Sequence, residues 1–322
     1  MLRRSKFKVL TISSTGLVLS IALAGTLVAQ KAEKPDDEAR FTSDIRLVVL
    51  PVTVVDKAGR LVTTLPESAF QVFENGVPQK VKQFKREDVP VSMGLVIDNS
   101  GSMRDKRAKV AAAAVALVKD SNKDDEAFVV NFNDDAYLDT PDFTNDIKVL
   151  DQALSRIDSR GGTAMRDAIR MSIDHMKKKA KKDKKVILVV TDGNDNASSV
   201  SLETLVKQAQ QSEVIVYSIG LLSEEEKREA KRAKRALDLL TEATGGQAYY
   251  PKELADVERI AHQVAHDIRN QYTITYTPAN QALDGSFRQI KVVASGPGHP
   301  VARTRTGYYA TPDAINKANS FR

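Results

Sequence analysis

The chain has no cysteine in its 322 residues. That absence excludes disulfides, thiolate zinc sites, cysteine nucleophiles and a lipid-modified N-terminal cysteine together. A strong excess of one charge sign is also missing. Without Arg3, Arg4, Lys6 and Lys8, the formal charge of +6 falls to +2. A chain so near neutrality gives no reason to expect nucleic acid as its partner. Hydrophobic residues at 42% and charged residues at 28% do not suit a disordered chain, so a folded middle is expected.

The first residues follow the three-part pattern of an export signal. A basic stretch from Arg3 to Lys8 leads into an uncharged apolar run from Val9 to Ala29, and charge resumes at Lys31. Residues 1–30 are therefore expected to serve as a signal peptide or an N-terminal anchor. About 20 apolar residues can span a bilayer, but Ser13, Ser14, Thr15 and Gly16 weaken the run as a permanent span and favour cleavage. The remainder is expected outside the cytoplasm, periplasmic, at the cell surface or secreted. An exported chain of this size without disulfides suits a bacterial envelope. Membrane contact is expected only if the N-terminal segment stays as an anchor.

Beyond a polar linker at residues 31–44, the pattern turns to short strands. Leu47 to Val55 is rich in β-branched residues, Phe70 to Phe73 alternates, Glu74-Asn75-Gly76 is a hairpin signal, and Gln79 to Phe84 alternates again. Residues 45–90 thus form one β segment. A different regime covers residues 91–270. Apolar strands are expected at Val91 to Ile97, Ala127 to Phe132, Lys185 to Val190 and Val214 to Ile219. Between and after them lie helical stretches at Lys109 to Lys119, Asp146 to Ile157, Ala164 to Met176, Leu202 to Ser212, Glu224 to Leu240 and Glu253 to Asn270. Such alternation predicts an α/β fold, a doubly wound, mainly parallel sheet with helices on both faces. The β pattern returns over residues 271–311, ahead of a tail at 312–322. The two β segments are each short for an independent core, so they are expected to pair in one small flanking sandwich-like unit.

The segment richest in chemistry is Gly94-Leu95-Val96-Ile97-Asp98-Asn99-Ser100-Gly101-Ser102-Met103. An apolar strand runs into Asp-x-Ser-x-Ser and a helix follows. Ligands of open α/β sheets gather at the carboxyl ends of strands, so Asp98, Ser100 and Ser102 are expected on the first loop of that edge. Gly161-Gly162-Thr163 sets a hydroxyl on a tight turn before a helix, and Val189-Val190-Thr191-Asp192-Gly193 ends a strand with a second carboxylate. Each piece alone has an ordinary origin: turn chemistry for the Asp-Ser-Gly run, a helix cap for Thr163, a turn for Asp192-Gly193. Their joint order and spacing carry the signal.

This set resembles the von Willebrand factor A family and its metal-ion-dependent adhesion site. All five family positions have a counterpart: Asp98, Ser100, Ser102, Thr163 and Asp192. Asn99 at the first variable position departs from the commonest form and is permitted. The flanking segments, with Glu74-Asn75-Gly76 and Gly307-Tyr308-Tyr309-Ala310, resemble those of a bacterial exported subgroup. The resemblance implies direct metal ligation by the Ser and Thr hydroxyls, with one or both Asp acting through water. Two carboxylates and three hydroxyls are hard oxygen donors that suit Mg²⁺, Mn²⁺ or, less readily, Ca²⁺. Two ionised Asp only offset one divalent ion, leaving it able to attract a Glu or Asp carboxylate of a protein partner. The expected function is thus an exported, non-enzymatic adhesion or scaffold module. The alternatives are an envelope protein with a purely structural metal, and a metal-assisted hydrolase.

Other signals weigh less. Ser100 lacks a Gly-x-Ser-x-Gly elbow and a His nearby, and the hydrolase reading lacks an evident general base. Where a phosphatase built on Asp98 would need a second Asp, Ser100 stands. His262 and His266 have zinc-like spacing but no Glu beside the first. The Lys177 to Lys185 run reads as a solvated helix end and loop. Asn194, Asp195 and Asn196 read as a polar loop, with support of the metal loop as the alternative. Glu224 to Leu240 reads equally as a solvent-facing helix or a partner-docking insert.

Overall fold

In this computed structural model, residues 46–86, 88–120, 122–156, 159–223, 227–311 and 316–317 are described. The export segment and linker lie outside them. Chain contacts gather the described residues in one unit, Asp44–Arg322.

The β segment opens with β1 (Arg46–Val55), β2 (Phe70–Glu74), β3 (Val77–Gln79) and β4 (Val81–Lys85). β2 and β3 form a hairpin whose turn residues Asn75 and Gly76 both take positive φ, 49° and 79°. That is the Asn-Gly turn whose twist matches paired strands. The α/β region then runs β5 (Val91–Asp98), α1 (Arg107–Lys119), β6 (Glu126–Phe132), β7 (Ala136–Leu138), α2 (Ile147–Leu154), α3 (Met165–Lys179), β8 (Lys184–Thr191), α4 (Leu202–Ser212), β9 (Ile215–Gly220), α5 (Lys227–Thr244), β10 (Ala248–Tyr249) and α6 (Asp256–Arg269). The chain returns to β structure with β11 (Tyr272–Tyr276), β12 (Phe287–Ala294), β13 (Val301–Arg303), β14 (Gly307–Tyr309) and β15 (Asn316–Lys317).

The central sheet has the order β10-β9-β8-β5-β6-β7, parallel throughout except for the antiparallel edge strand β7. Every residue of β5 is buried, as expected of a strand covered on both faces. Its alternate residues feed separate cores. Val91, Met93, Leu95 and Ile97 pack with Val110, Leu117, Ile260 and Val264 of α1 and α6, whereas Val96 packs with Ile169 of α3 and Leu240 of α5. The sheet agrees with the sequence expectation in type and strand positions. The short strands β7, β10 and β13 were not expected, since two or three residues carry no readable period.

The flanking unit consists of two antiparallel sheets. One has the order β13-β1-β11-β4, with β15 also on β1; the other is β14-β12-β2-β3. Leu50 stands opposite Ile274 and Val72 opposite Val292, so strands from both sides of the α/β region share one core. In that core Glu74 accepts hydrogen bonds from the Tyr276 hydroxyl at 2.7 Å and the Tyr308 hydroxyl at 3.0 Å. Among the described residues no helix is long and apolar enough to cross a membrane.

The Lys177 to Lys185 expectation needs correction. Lys177, Lys178, Lys179 and Lys181 are exposed, but Lys184 begins β8 and is buried, its Nζ donating to the Ile268 carbonyl at 2.6 Å. Alternation in β8 turns this one lysine inward, where the end of α6 supplies an acceptor.

Candidate functional site at the carboxyl edge of the sheet

Asp98 is the last residue of β5 and fully buried. Its Oδ1 accepts from the Ser100 amide at 2.8 Å, and its Oδ2 accepts from the Thr191 hydroxyl at 2.5 Å. Burial pushes the Asp98 carboxyl up to about 6, against the pull of the Ser100 and Thr191 hydrogen bonds; the Asp192 charge adds to the rise. The carboxylate thus joins the ends of two neighbouring strands. Behind it, the buried Arg107 donates to Asn131 Oδ1 at 2.6 Å, and burial pushes its guanidinium down to about 10 against the pull of Asp98 and Asp139.

Two hydroxyls extend the site outward. Ser100 Oγ lies 3.2 Å from Ser102 Oγ, which donates to Asp192 Oδ1 at 2.8 Å. Asp192 follows directly on β8, the strand paired with β5, so adjacent parallel strands deliver the two carboxylates to one edge. Its other oxygen, Oδ2, receives the ammonium of Lys106 at 2.5 Å.

Thr163 arrives from the loop before α3. A methyl built on Gly193 would lie 3.6 Å from Thr163 Oγ1, so the hydroxyl faces the backbone next to Asp192. The loop is fastened on several sides. Asn196 Oδ1 accepts from the Thr163 amide at 2.8 Å, and the Ala164 amide donates to the Asn133 carbonyl at 2.6 Å. The Gly101 amide donates to the Gly161 carbonyl at 3.3 Å, tying this loop to the Ser100–Ser102 loop. Gly161 has φ 73°, and a Cβ there would meet Asp134 Oδ2 at 2.0 Å, so this turn requires glycine on both counts. Asn196, in a segment whose sequence reads chiefly as a plain polar loop, holds Thr163 in place; Asp195 instead pairs with Arg166 at 2.9 Å.

Asp98, Ser100, Ser102 and Asp192 are therefore linked by hydrogen bonds or shared neighbours, with Thr163 beside them. The donor set is oxygen only, drawn from three loops, which fits a hard cation such as Mg²⁺. Among the described residues no group of three or more His, Cys, Asp or Glu is arranged to hold a metal, so an ion placed here would have to be held by the hydroxyls as well as the two carboxylates. His262 is turned toward Asp120 on the other side of the α1–α6 contact, well apart in sequence and element from the five residues.

Sequence reasoning missed Lys106, Thr191 and Arg107. Lys106 sits four residues past Ser102, outside any family position, and its partner is 86 residues away. Thr191 reads as strand rather than as part of the site.

Residues 93–194, which include all five candidate positions, match the von Willebrand factor type A domain family. No curated protein matches the chain. Among solved structures, a von Willebrand factor type A protein from Catenulispora acidiphila shares 14% identity and a TM-score of 0.48, covering 85% of this chain and 76% of that one. The PilB minor pilin from Streptococcus sanguinis shares 14% identity at a TM-score of 0.46, covering 57% of this chain, which spans 62% of PilB. The vWF domain of the type V pili tip protein Mfa5 from Porphyromonas gingivalis gives 14% identity and 0.45, covering 56% and 97%. The stretch that holds the central strands of the sheet and all five candidate positions, residues 93–194, is thus similar to a von Willebrand factor type A domain.

Proposed function

We propose that the chain is an exported, non-enzymatic protein-binding module in which a divalent cation bridges Asp98, Ser100, Ser102, Thr163 and Asp192 to an acidic residue of a partner. The observation that carries this reading is the gathering of five oxygen-bearing side chains from three loops at the carboxyl edge of the sheet: Ser100, Ser102 and Asp192 are joined at 2.8–3.2 Å, Asp98 is held by Thr191 and the Ser100 amide at 2.5 and 2.8 Å, and Thr163 lies beside them. Mg²⁺ keeps near-octahedral geometry and retains water readily, so few direct protein ligands leave a position for an incoming carboxylate. Bound there, the ion supplies positive charge for that carboxylate; the residues of this chain orient it and fix the edge. Thr191 and the Ser100 amide hold Asp98, and Asn196 holds the Thr163 turn.

Calorimetric titration of Mg²⁺ and Mn²⁺ into the parent, Asp98→Asn and Ser102→Ala tests this. One-to-one binding in the parent, lost or sharply weakened in variants with parental circular dichroism, is expected. Ser102 is exposed, so its truncation leaves the core intact even if the Asp98 variant fails to fold. A parent that binds neither ion would overturn the proposal.

A further inference from the structure

The site already contains a cation of its own. The Asp192 side chain is 1% exposed and that of Lys106 32% exposed, with their charged atoms 2.5 Å apart. A buried charge calls for a partner of opposite sign. Ser102 gives Asp192 Oδ1 a neutral hydrogen bond, and Lys106 gives Oδ2 the charge. A divalent ion held by Ser100, Ser102 and Asp192 would meet that ammonium at the same carboxylate, and two cations in contact with one carboxylate repel each other.

Lys106 can yield without any change of fold. It occupies the N-cap of α1, with the backbone already in the right-handed helical region (φ −96°, ψ −25°), and the ammonium hangs on a four-carbon stem that is partly in solvent. Rotation of the stem removes the charge from Asp192 while α1 stays docked through Val110, Ala113, Ala114 and Leu117.

We infer that Lys106 is an exchangeable internal counter-ion of the adhesion site: it neutralises Asp192 when no metal is bound and must be displaced for a divalent cation to enter. This rests on the metal-bridge reading above and adds to it a built-in competitor that sets the cation concentration at which the site opens. Once displaced, the ammonium stays tethered at the rim, where its charge adds to that of the metal and favours an anionic partner group. Because the two cations compete for one carboxylate, the coupling is reciprocal: whatever weakens Lys106 at Asp192 strengthens the metal there.

Two measurements on the full chain test this. In the first, Mn²⁺ is titrated calorimetrically into the parent, Lys106→Gln, Lys106→Met and Lys106→Arg. Removal of the charge is expected to tighten Mn²⁺ binding about tenfold or more, since even a partly exposed ion pair to a buried carboxylate competes at that scale, whereas Lys106→Arg stays near the parent value. In the second, acetylation of Lys106 by acetic anhydride is followed by peptide mass spectrometry in chelator and in saturating Mn²⁺. Lys106 is expected to react slowly in chelator and faster with metal, while exposed Lys109 keeps a constant rate. Equal Mn²⁺ affinity in parent and charge-free variants, weaker binding in the variants, or an acetylation rate indifferent to metal would overturn the counter-ion role and leave the metal reading intact. Failure of the parent and every variant to bind Mn²⁺ would overturn both.

Discussion

Replacing Lys184 by methionine should stabilise the protein at neutral pH and lose that advantage in alkali. Lys184 begins β8, the strand whose far end delivers Asp192, and is buried with its Nζ on the Ile268 carbonyl at 2.6 Å. Burial pushes its ammonium down to about 8 from 10.5, against the pull of Asp88 and Asp125. A depression of that size corresponds to a penalty of about 3 kcal/mol for carrying the charge in the folded state. Below pH 8 the amine is protonated in both states and the penalty is present in full. Between about 8 and 10.5 the unfolded chain holds more protons, so parental stability rises with pH. Methionine keeps the apolar stem, removes the charge and forfeits a hydrogen bond worth about 1 kcal/mol. The variant should therefore exceed the parent by about 2 kcal/mol at pH 7, and the gap should close by about pH 10. Urea denaturation of both proteins at pH 7, 8, 9 and 10 measures the difference, in which the titrations they share cancel. A gap independent of pH, or a variant less stable at pH 7, would refute the reasoning.

Two further predictions concern the supports of the site and of the flanking core. Thr191→Val deprives the buried Asp98 carboxylate of its 2.5 Å donor and should cost about 2 kcal/mol in denaturant unfolding with little change in shape; an unchanged midpoint would remove Thr191 from the account. Tyr276→Phe and Tyr308→Phe each take one donor from Glu74 and should cost about 1 kcal/mol singly. The double variant, which strips both hydroxyl donors from a buried carboxylate, should cost more than the sum, and strict additivity in a double-mutant cycle would contradict the shared acceptor.

The layered sheet was legible because its signals are local. A continuous apolar run such as Val186 to Val190, short and rich in β-branched residues, fits a strand covered on both faces, and the tendency of ligands to sit at strand ends then points to the edge where Asp98 and Asp192 lie. Thr163 came from spacing within a resemblance, since a lone Thr after two glycines is ambiguous. The supports stayed hidden because they depend on distant parts of the chain. Lys106 meets Asp192, Thr191 meets Asp98, and Asn196 meets Thr163 only once three loops lie side by side. Arg107 is charged and sits in the first turn of a helix, where exposure is the ordinary expectation, yet the fold buries it beneath the site. The sequence pattern ends helix α5 at Leu240; its actual end at Thr244 is set by Gly245, whose φ of 86° reverses the chain.

The α/β region is an insertion in the flanking unit, and this has a mechanical consequence. β4, just before it, and β11, just after it, are hydrogen-bonded neighbours, with Lys85 opposite Thr273 and Phe84 opposite Ile274. Tension applied between Arg46 and Thr311 therefore enters through β1, crosses the ladders that β1 makes with β11 and β13, and leaves without passing along the inserted sheet. The edge that holds Asp98 and Asp192 is shielded from load carried along the chain as long as the β4–β11 clasp holds. Force reaches it only from a ligand that pulls on the edge itself.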